Sequence, residues 1–303
     1  MAKPKVLVLG ATGQLGKLVA DKLRNNNEIS LIVTSRKKEQ LSQLQEKYGQ
    51  AVYLDLDDPR TFPEALKNVE RLFLITGYTV NMLVQSKAIV DAAKKAGVQH
   101  IVHLGVFTPQ FDCYDPHFAW HQMIEAYIKQ SGIEYTFLHP NAFMQNLIGV
   151  FNMVKDGKVR FYVEDKKLGW IALEDVAEAT AKILIEGPSK HRKKDYWFST
   201  ESLNLDEIAQ VLSEATGKKF VADKQPPDQF LKDFAEIQKN VDPYFVGVEE
   251  FFRQVVDGRM SYIADVRDDL PQLIGCKGMK FRDWAQLHKD ELVKLAKQKA
   301  VGV

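Results

Sequence analysis

The first half of the chain alternates short apolar runs with segments of helical periodicity, six times in succession. The runs, such as residues 6–9 and 71–75, are continuously apolar and do not alternate with polar residues. Continuous runs are typical of strands in a parallel sheet that helices cover on both faces. Because crossovers between parallel strands are right-handed, the pattern predicts a Rossmann-like, doubly wound α/β fold.

A glycine-rich turn follows the first predicted strand and opens the first predicted helix. Residues 10–16 have the sequence Gly-Ala-Thr-Gly-Gln-Leu-Gly. Gly10 permits a tight turn, Gly13 lets the backbone approach a diphosphate, and Gly16 lets the helix pack close to the strand. The amides and the positive dipole at the start of a helix bind phosphate. The turn therefore predicts a dinucleotide site with contacts from Gly10, Thr12, Gly13, Gln14, Leu15 and Gly16.

The end of the second predicted strand indicates which dinucleotide binds. NAD sites usually have an acidic residue there for the ribose 2′-hydroxyl. This chain instead has Ser35, Arg36 and Lys37, without an acid. A guanidinium can bind a 2′-phosphate through two hydrogen bonds, whereas a carboxylate would repel it. The sequence predicts NADP(H), with Arg36 as the main contact and Lys37 and Ser35 assisting; alternatively, these residues merely begin an exposed, charged helix.

Two further pairs of residues follow predicted strands and are expected to contact the cofactor. Ligands of such sheets bind at the carboxyl ends of the strands. Asp55 and Leu56 follow the third strand and are expected beside the adenine. Thr76 and Gly77 follow the fourth strand and are expected near the ribose and the nicotinamide.

The strand–helix alternation ends near Pro140, which predicts a second, smaller lobe. Residues 151–168 carry glycines and charges, and a segment near 170–187 predicts a return to the main domain. A strand at 196–198 and then mostly helices follow, and we place these in the smaller lobe. We therefore predict an NADP(H)-binding Rossmann domain over 1–150 with that return segment, and a smaller C-terminal α/β lobe on the substrate side over 151–303.

Composition limits the partners. The 41 Lys and Arg residues balance 40 Asp and Glu residues, so no positive excess attracts nucleic acid. The two cysteines cannot cross-link a chain of 303 residues, which fits a reducing compartment. We find no signal-peptide pattern and no apolar run near the roughly 20 residues that span a bilayer. We expect a cytoplasmic monomer or homodimer that has no nucleic-acid or membrane partner.

Several segments, taken in order, resemble one known family. They are residues 8–16, 131–136, 139–147 and 171–178, and then Gly275 with 281–284. Together they resemble the NmrA-like branch of the atypical short-chain dehydrogenase/reductases over nearly the whole chain. That branch includes NADPH:quinone oxidoreductases, triphenylmethane reductases and redox-sensing regulators. The resemblance implies an NADP(H) site, with Pro140, Asn141 and Phe143 in the loop on the nicotinamide side.

The chain departs from this resemblance where catalysis is concerned. Catalytic members of the wider superfamily carry Tyr-x-x-x-Lys on the helix after the fifth strand, and a serine at the end of that strand. The corresponding positions here have His117 and His121, with Leu104-Gly105-Val106 in place of the serine segment. The resemblance therefore implies that the chain binds the cofactor, but it carries over the catalytic residues only in part.

His117 and His121 lie four residues apart and share one face of the predicted helix. In one interpretation, His121 donates to the nicotinamide ribose and His117 protonates the reduced product, since histidine titrates near neutral pH. In a second, the pair binds zinc with Cys113, or with the nearby Asp112 and Asp115. Pro116, however, opens the helix after Cys113 and puts its thiol off the helical register. In a third, both histidines are merely hydrogen-bonded. We adopt the first interpretation, with catalytic His121 and His117, and expect no metal site.

The missing tyrosine and lysine favour acceptors that need little acid help. A ketone needs a proton donor for its forming alkoxide, whereas a quinone, an enone or a dye-like cation does not. We predict an oxidoreductase that transfers a hydride from NADPH to such a planar, aromatic or conjugated acceptor between the two lobes. The alternative is a non-catalytic NADP(H) sensor that acts through a protein partner. The predicted substrate contacts are Tyr78, Phe107, Phe118, Trp120 and Met144.

Overall fold

The structure is a computed structural model that describes residues 3–109, 114–149, 153–235 and 241–297. The chain divides into two compact units. The first unit comprises Met1–Cys113, Phe118–His139 and Leu173–Tyr196, and the second comprises Tyr114–His117, Pro140–Ala172 and Trp197–Val303.

In the described residues, the main sheet of the first unit has seven strands. In spatial order its strands are β3 (Ala51–Tyr53), β2 (Ser30–Ser35), β1 (Lys5–Val8), β4 (Arg71–Leu74), β5 (His100–Leu104), β6 (Glu134–Pro140) and β11 (Lys194–Phe198). The pairs from β3 to β6 are parallel, and Leu7 faces Ile32 on one side and Leu72 on the other. This is the strand order of a Rossmann sheet, and the predicted α/β fold class is confirmed.

Helices connect these strands and cover their apolar side chains. They are α1 (Gln14–Leu23), α2 (Leu41–Tyr48), α3 (Phe62–Ala65), α4 (Met82–Ala96), α5 (Pro116–Ser131), α6 (Leu173–Glu186) and α7 (Pro188–His191). Helix α6, the predicted return segment, packs against α1, and Lys22 pairs there with Glu178 at 2.5 Å. Val6, Leu7 and Val8 have no exposed surface. The continuous apolar runs are therefore strands buried on both faces, as the sequence predicts.

The sequence predicts a short helix from Phe62 to Val69, and this prediction needs correction. Helix α3 ends at Ala65, and Asn68 has a φ of +58°, which an α-helix cannot contain. The strand predicted at 196–198 is part of β11, which lies beside β6 at the edge of the main sheet, although Trp197 and Phe198 belong to the second unit. The sequence also predicts that Gly97 caps the end of a helix over 81–96, and this is confirmed: α4 ends at Ala96, and Gly97 has a left-handed φ of +80°, typical of a helix C-cap.

The second unit contains two small sheets and several helices. One sheet has the order β12 (Glu201–Leu203), β10 (Leu168–Ile171), β7 (Ala142–Phe143), and the other has the order β13 (Val221–Lys224), β9 (Lys158–Phe161), β8 (Val154–Lys155). The helices are α8 (Leu205–Thr216), α9 (Phe230–Ala235), α10 (Pro243–Val256), α11 (Asp269–Ile274), α12 (Phe281–Leu287) and α13 (Lys289–Lys297).

Aromatic rings form the core of the second unit. The ring centroids of Phe161 and Phe252 are 5.4 Å apart, and those of Trp170 and Phe281 are 5.6 Å apart, both edge to face. Such pairs stabilise a core by about 1 kcal/mol beyond the apolar area that they bury. Among the described residues, no helix has the combined length and apolar character that a membrane span needs.

Candidate functional site

The glycine turn between β1 and α1 shows which glycines the protein itself requires. Gly10 has a φ of +67°, in the left-handed region that favours glycine. A Cβ on Gly16 would lie 2.2 Å from the carbonyl oxygen of Gly10 and 2.8 Å from that of Leu9. A Cβ on Gly13 would lie 3.3 Å from the oxygen of Gly10. Helix α1 can therefore start this close to the turn only because residue 16 lacks a side chain.

The first turn of α1 is open to an anion. The amide of Gly13 donates to the carbonyl of Gly10 at 2.8 Å, so it already has a partner. The N-cap residue, Gly13, has no side chain that could cap the helix, and the first turn of α1 contains no acidic residue. Thr12 and Gln14 are exposed. Because the first amides of a helix lack intrahelical acceptors, those from Gln14 onward are the donors that could bind a diphosphate.

The predicted 2′-phosphate contacts lie at the end of β2. The Ser35 hydroxyl is buried, donates to Oε1 of Gln40 at 2.8 Å and accepts from the amide of Lys37 at 3.0 Å. This hydroxyl therefore holds the turn in place. Arg36 is exposed, and no described residue forms an ion pair with it. Its guanidinium is available to a phosphate group.

The turn after β3 is stabilised by its own hydrogen bonds. The amide of Asp55 donates to Oγ1 of Thr61 at 3.2 Å, and the Asp55 carboxylate accepts from the amide of Asp57 at 3.1 Å. Asp55 and Leu56 are half-buried. They lie at the carboxyl end of a strand next to β2, as the predicted adenine contacts should.

Thr76 and Gly77 follow β4, with Thr76 half-buried and Gly77 exposed. A Cβ on Gly77 would meet no protein atom within 4 Å, and Gly77 is not one of the glycines with a positive φ. The protein's own packing therefore does not require glycine at this position. Gly77 differs in this respect from Gly10 and Gly16.

His117 is held within the second unit by an acidic and aromatic environment. Its Nδ1 lies 2.5 Å from Oδ1 of Asp115, and both side chains are buried. Its ring packs edge-on against Tyr244, with centroids 5.4 Å apart, and against Phe251 at 5.8 Å. These contacts favour a structural role for His117, and its proposed part in catalysis stays a prediction. Cys113, the third ligand of the zinc alternative, lies outside the described residues.

His121 belongs to the first unit and has different surroundings from His117, although both lie on α5. It is buried, and its ring centroid is 5.8 Å from that of His103 on β5. Burial and, to a smaller extent, the nearby His139 together lower the pKa of His103 to about 3, so His103 is neutral near pH 7. His121 therefore lies beside a neutral imidazole.

We expect His103 to make the protein less stable in acid. The unfolded chain binds a proton at an ordinary histidine pKa of about 6.5, whereas the folded chain does so only near pH 3. The unfolded state thus binds more protons below pH 6.5, and stability falls with falling pH. Between pH 6.5 and pH 5 the loss from this one residue is about 2 kcal/mol.

Urea denaturation of wild type and His103→Leu at pH 7 and pH 5 measures this effect. The leucine variant should lose about 2 kcal/mol less than wild type between these pH values. Ile101→Val, a core variant on the same strand, controls for altered packing. An equal pH dependence in wild type and His103→Leu contradicts the prediction.

The loop predicted on the nicotinamide side lies in the second unit and is tied to it. The side-chain amide of Asn141 donates to the carbonyl of Ile263 at 2.9 Å, and its Oδ1 accepts from the amide of the next residue at 2.9 Å. Pro140 and Met144 are buried, and Phe143 is half-buried. Asn141 therefore stabilises the loop itself, and Met144 has no exposed surface with which to contact a substrate.

The aromatic residues predicted to contact the substrate differ in exposure. Tyr78 is 46% exposed and Trp120 is half-buried, whereas Phe107 and Phe118 are only 1% and 5% exposed. Tyr78 and Trp120 can present a ring to a ligand. Phe107 and Phe118 are buried, which is the ordinary place of aromatic residues in a protein.

One group of polar residues in the first unit was not predicted from the sequence. Glu125 on α5, His139 on β6 and Asp195 on β11 each offer a donor atom within 4.8 Å of the others. The available signal was the spacing of His121 and Glu125, four residues apart on one helix face. His139 and Asp195 come from distant parts of the sequence, and the sheet alone brings them together.

The fold and the open glycine turn define a Rossmann-like nucleotide-binding protein. The model described as the NmrA-like family matches residues 2–270, so the chain belongs to the NmrA-like family, as its motifs indicated.

Three relatives illustrate the range of this similarity. The chain is 26% identical to the NAD(P)H azoreductase of Xenophilus azovorans over 290 residues, which cover 93% of this chain and 97% of the relative. It is 28% identical to quinone oxidoreductase 2 of Escherichia coli over 221 residues, 71% of this chain and 75% of the relative. The solved structure of the Citrobacter sp. triphenylmethane reductase complexed with NADP(H) matches with a TM-score of 0.78 at 26% identity, covering 94% of this chain and 99% of that one.

Proposed function

We propose that this chain is an NADPH-dependent oxidoreductase that transfers a hydride to a planar, electron-poor acceptor such as a quinone, an enone or a dye. The observation that carries the proposal is the uncapped first turn of α1 together with the exposed Arg36 at the end of β2, with which no described residue forms an ion pair. The amides suit a diphosphate and the guanidinium suits a 2′-phosphate. Relatives named as NAD(P)H azoreductase, quinone oxidoreductase and triphenylmethane reductase support the class.

The residues present fit NADP(H) at three points of the fold. The Gly10 turn and the start of α1 would hold the diphosphate, and Arg36 would hold the 2′-phosphate. Gly77, where a side chain would meet only open space, leaves room for the ribose and the nicotinamide. When bound, the dihydronicotinamide supplies the hydride. The protein contributes binding, orientation and exclusion of water.

The chemistry of the acceptor follows from the absence of the Tyr-x-x-x-Lys pair on α5. Hydride addition to a quinone or a cationic dye gives a stabilised product, so a strong proton donor is not required. Of the two predicted catalytic histidines, His117 is paired with Asp115, whereas the ring of His121 lies 5.8 Å from that of the neutral His103. We therefore assign any proton delivery to His121. A non-catalytic NADP(H) sensor is the alternative, and the assay below separates the two.

Turnover of a panel of acceptors tests the proposal. We expect steady oxidation of NADPH with at least one quinone, enone or triphenylmethane dye. In His121→Ala, kcat should fall by up to about 10²-fold, the lower end of the range for a general acid, while the Kd of NADPH changes little. His117→Ala should affect kcat less. NADPH binding without turnover across the panel favours the sensor, and unchanged kcat in His121→Ala removes its role.

A further inference from the structure

His139 on β6 contacts two other elements of the first unit through its two ring nitrogens. Its Nδ1 lies 3.1 Å from the carbonyl oxygen of Val106, in the loop after β5, and its Nε2 lies 3.0 Å from Oδ1 of Asp195 on β11. We propose that His139 carries a proton on both nitrogens and is a positioning residue, which fixes the loop after β5 and, through it, the predicted proton donor His121. The inference rests on the proposed reductase function and adds a residue to it.

The charges around His139 favour a ring with two protons. Burial raises the pKa of Asp195, but the hydrogen bond with His139 and the charges of His139 and Lys129 outweigh burial, so this pKa lies below its usual value and Asp195 is ionised. Oε1 of Glu125 on α5 lies 3.6 Å from Nδ1, and burial raises the pKa of this carboxyl to about 7. His103 on β5 also faces the ring and is neutral near pH 7. Lys129 is exposed. Because an ionised carboxylate and a backbone carbonyl only accept hydrogen bonds, both ring nitrogens must donate to satisfy them.

The loop after β5, residues 105–108, packs directly against this ring. A Cβ on Gly105 would lie 3.4 Å from Nδ1 of His139 and 2.5 Å from Oε1 of Glu125, so the two side chains occupy the space that a side chain there would fill. The carbonyl of the next residue, Val106, accepts the hydrogen bond from the ring. A neutral imidazole has a single N–H and could keep only one of its two hydrogen bonds. The position of the loop therefore depends on the second proton.

The same loop is joined to α5 beside His121. Nε2 of Gln122 donates to Oγ1 of Thr108 at 3.4 Å, and the amide of Thr108 donates to the carbonyl of Val106 at 2.9 Å. The carbonyl that His139 binds is therefore connected through Thr108 to the residue next to His121. Ligands of such sheets bind at the carboxyl ends of the strands, where this loop lies. A shift of the loop should thus misplace His121 relative to a bound acceptor.

NMR of the histidine ring nitrogens in the full-length protein tests the protonation state without any acceptor. Near neutral pH the ring of His139, assigned by the loss of its signals in His139→Gln, should carry a proton on both nitrogens. Asp195→Asn removes the facing charge and should lower the pH at which this ring loses its second proton. Glu64→Gln, which removes an exposed carboxylate elsewhere in the first unit, should leave that pH unchanged. A His139 ring with a single proton near neutral pH overturns the proposal.

Two acceptors with different proton requirements test the positioning role. A quinone takes up a hydride and a proton, whereas a cationic triphenylmethane dye takes up only the hydride and becomes neutral. His139→Gln should lower kcat for the quinone by about tenfold or more, since a small misplacement of a catalytic group can cost about 10²-fold. It should change kcat for the dye and the Kd of NADPH little. A merely structural role of His139 would not separate the two acceptors.

Asp195→Asn keeps the test decisive if His139→Gln folds poorly. Asp195 is partly exposed, and its substitution should lower kcat for the quinone chiefly at the pH values where the ring loses its second proton. Equal slowing of the quinone and the dye in these variants overturns the positioning role alone. If wild type reduces neither acceptor, the proposed function fails and the positioning role fails with it, whereas the NMR measurement does not depend on turnover.

Discussion

Gly16→Ala is expected to destabilise the protein by about 3 kcal/mol or more, the range of a severe overpacking change. The new methyl group would lie 2.2 Å from the carbonyl oxygen of Gly10 and 2.5 Å from its carbonyl carbon. Both are backbone atoms of a turn whose φ of +67° leaves little freedom to move. Helix α1 would have to shift away from β1, and its buried residues Leu15 and Val19 would lose packing with it.

The sign of this effect distinguishes packing from helix propensity. Alanine inside a helix is favoured over glycine by about 1 kcal/mol, so propensity alone predicts that Gly16→Ala stabilises the protein. Urea denaturation gives the free energy of unfolding for wild type and variant. Gly77→Ala is the matched control, because its Cβ would meet no atom within 4 Å, and we expect a change within about 0.5 kcal/mol.

Gly16→Ala also tests the assignment of the cofactor site. Gly16→Ala should also reduce the thermal stabilisation that NADPH provides, because the amides at the start of α1 move with the helix. A Gly16→Ala protein as stable as wild type, with unchanged NADPH binding, contradicts the close packing of α1 against the turn. A loss of stability in Gly77→Ala equal to that in Gly16→Ala contradicts the control.

The parts of the fold that could be predicted from the sequence depend on local patterns. Apolar runs such as 6–9 predicted the strands, and Gly97 predicted the end of α4, because each is a property of neighbouring residues. The helix predicted over 62–69 was too long because Asn68 adopts a positive φ, and no glycine or proline marks that change. The place of β11 in the main sheet was missed because its pairing with β6 is a long-range contact.

In the candidate site, too, local features could be predicted from the sequence and long-range contacts could not. The tight turn at Gly10 and the exposed position of Arg36 could be predicted, since both depend on consecutive residues at a strand end, and their contacts with a cofactor stay predictions. The surroundings of His117 could not, because Tyr244 and Phe251 approach it from a helix more than 100 residues away. Nor could the group of Glu125, His139 and Asp195, which requires the pairing of β6 with β11.

Arg36→Asp is expected to reverse the preference for NADPH over NADH. The substitution removes a two-point contact with the 2′-phosphate and places a carboxylate opposite that group. Loss of the pair and the new repulsion together amount to about 4 kcal/mol, or about 10³-fold in Kd for NADPH. NADH has no 2′-phosphate, so its Kd should change by less than about tenfold.

Titration of both nucleotides against wild type and Arg36→Asp measures this ratio. Arg24→Asp is the control for net charge, because Arg24 is exposed at the end of α1 and the change in charge is the same. It should affect NADPH and NADH equally and weakly. Since the interaction is between exposed charges, the loss of NADPH affinity should also shrink as salt is added. Equal losses of NADPH and NADH affinity in Arg36→Asp would show that Arg36 contacts another part of the nucleotide or merely begins a charged helix.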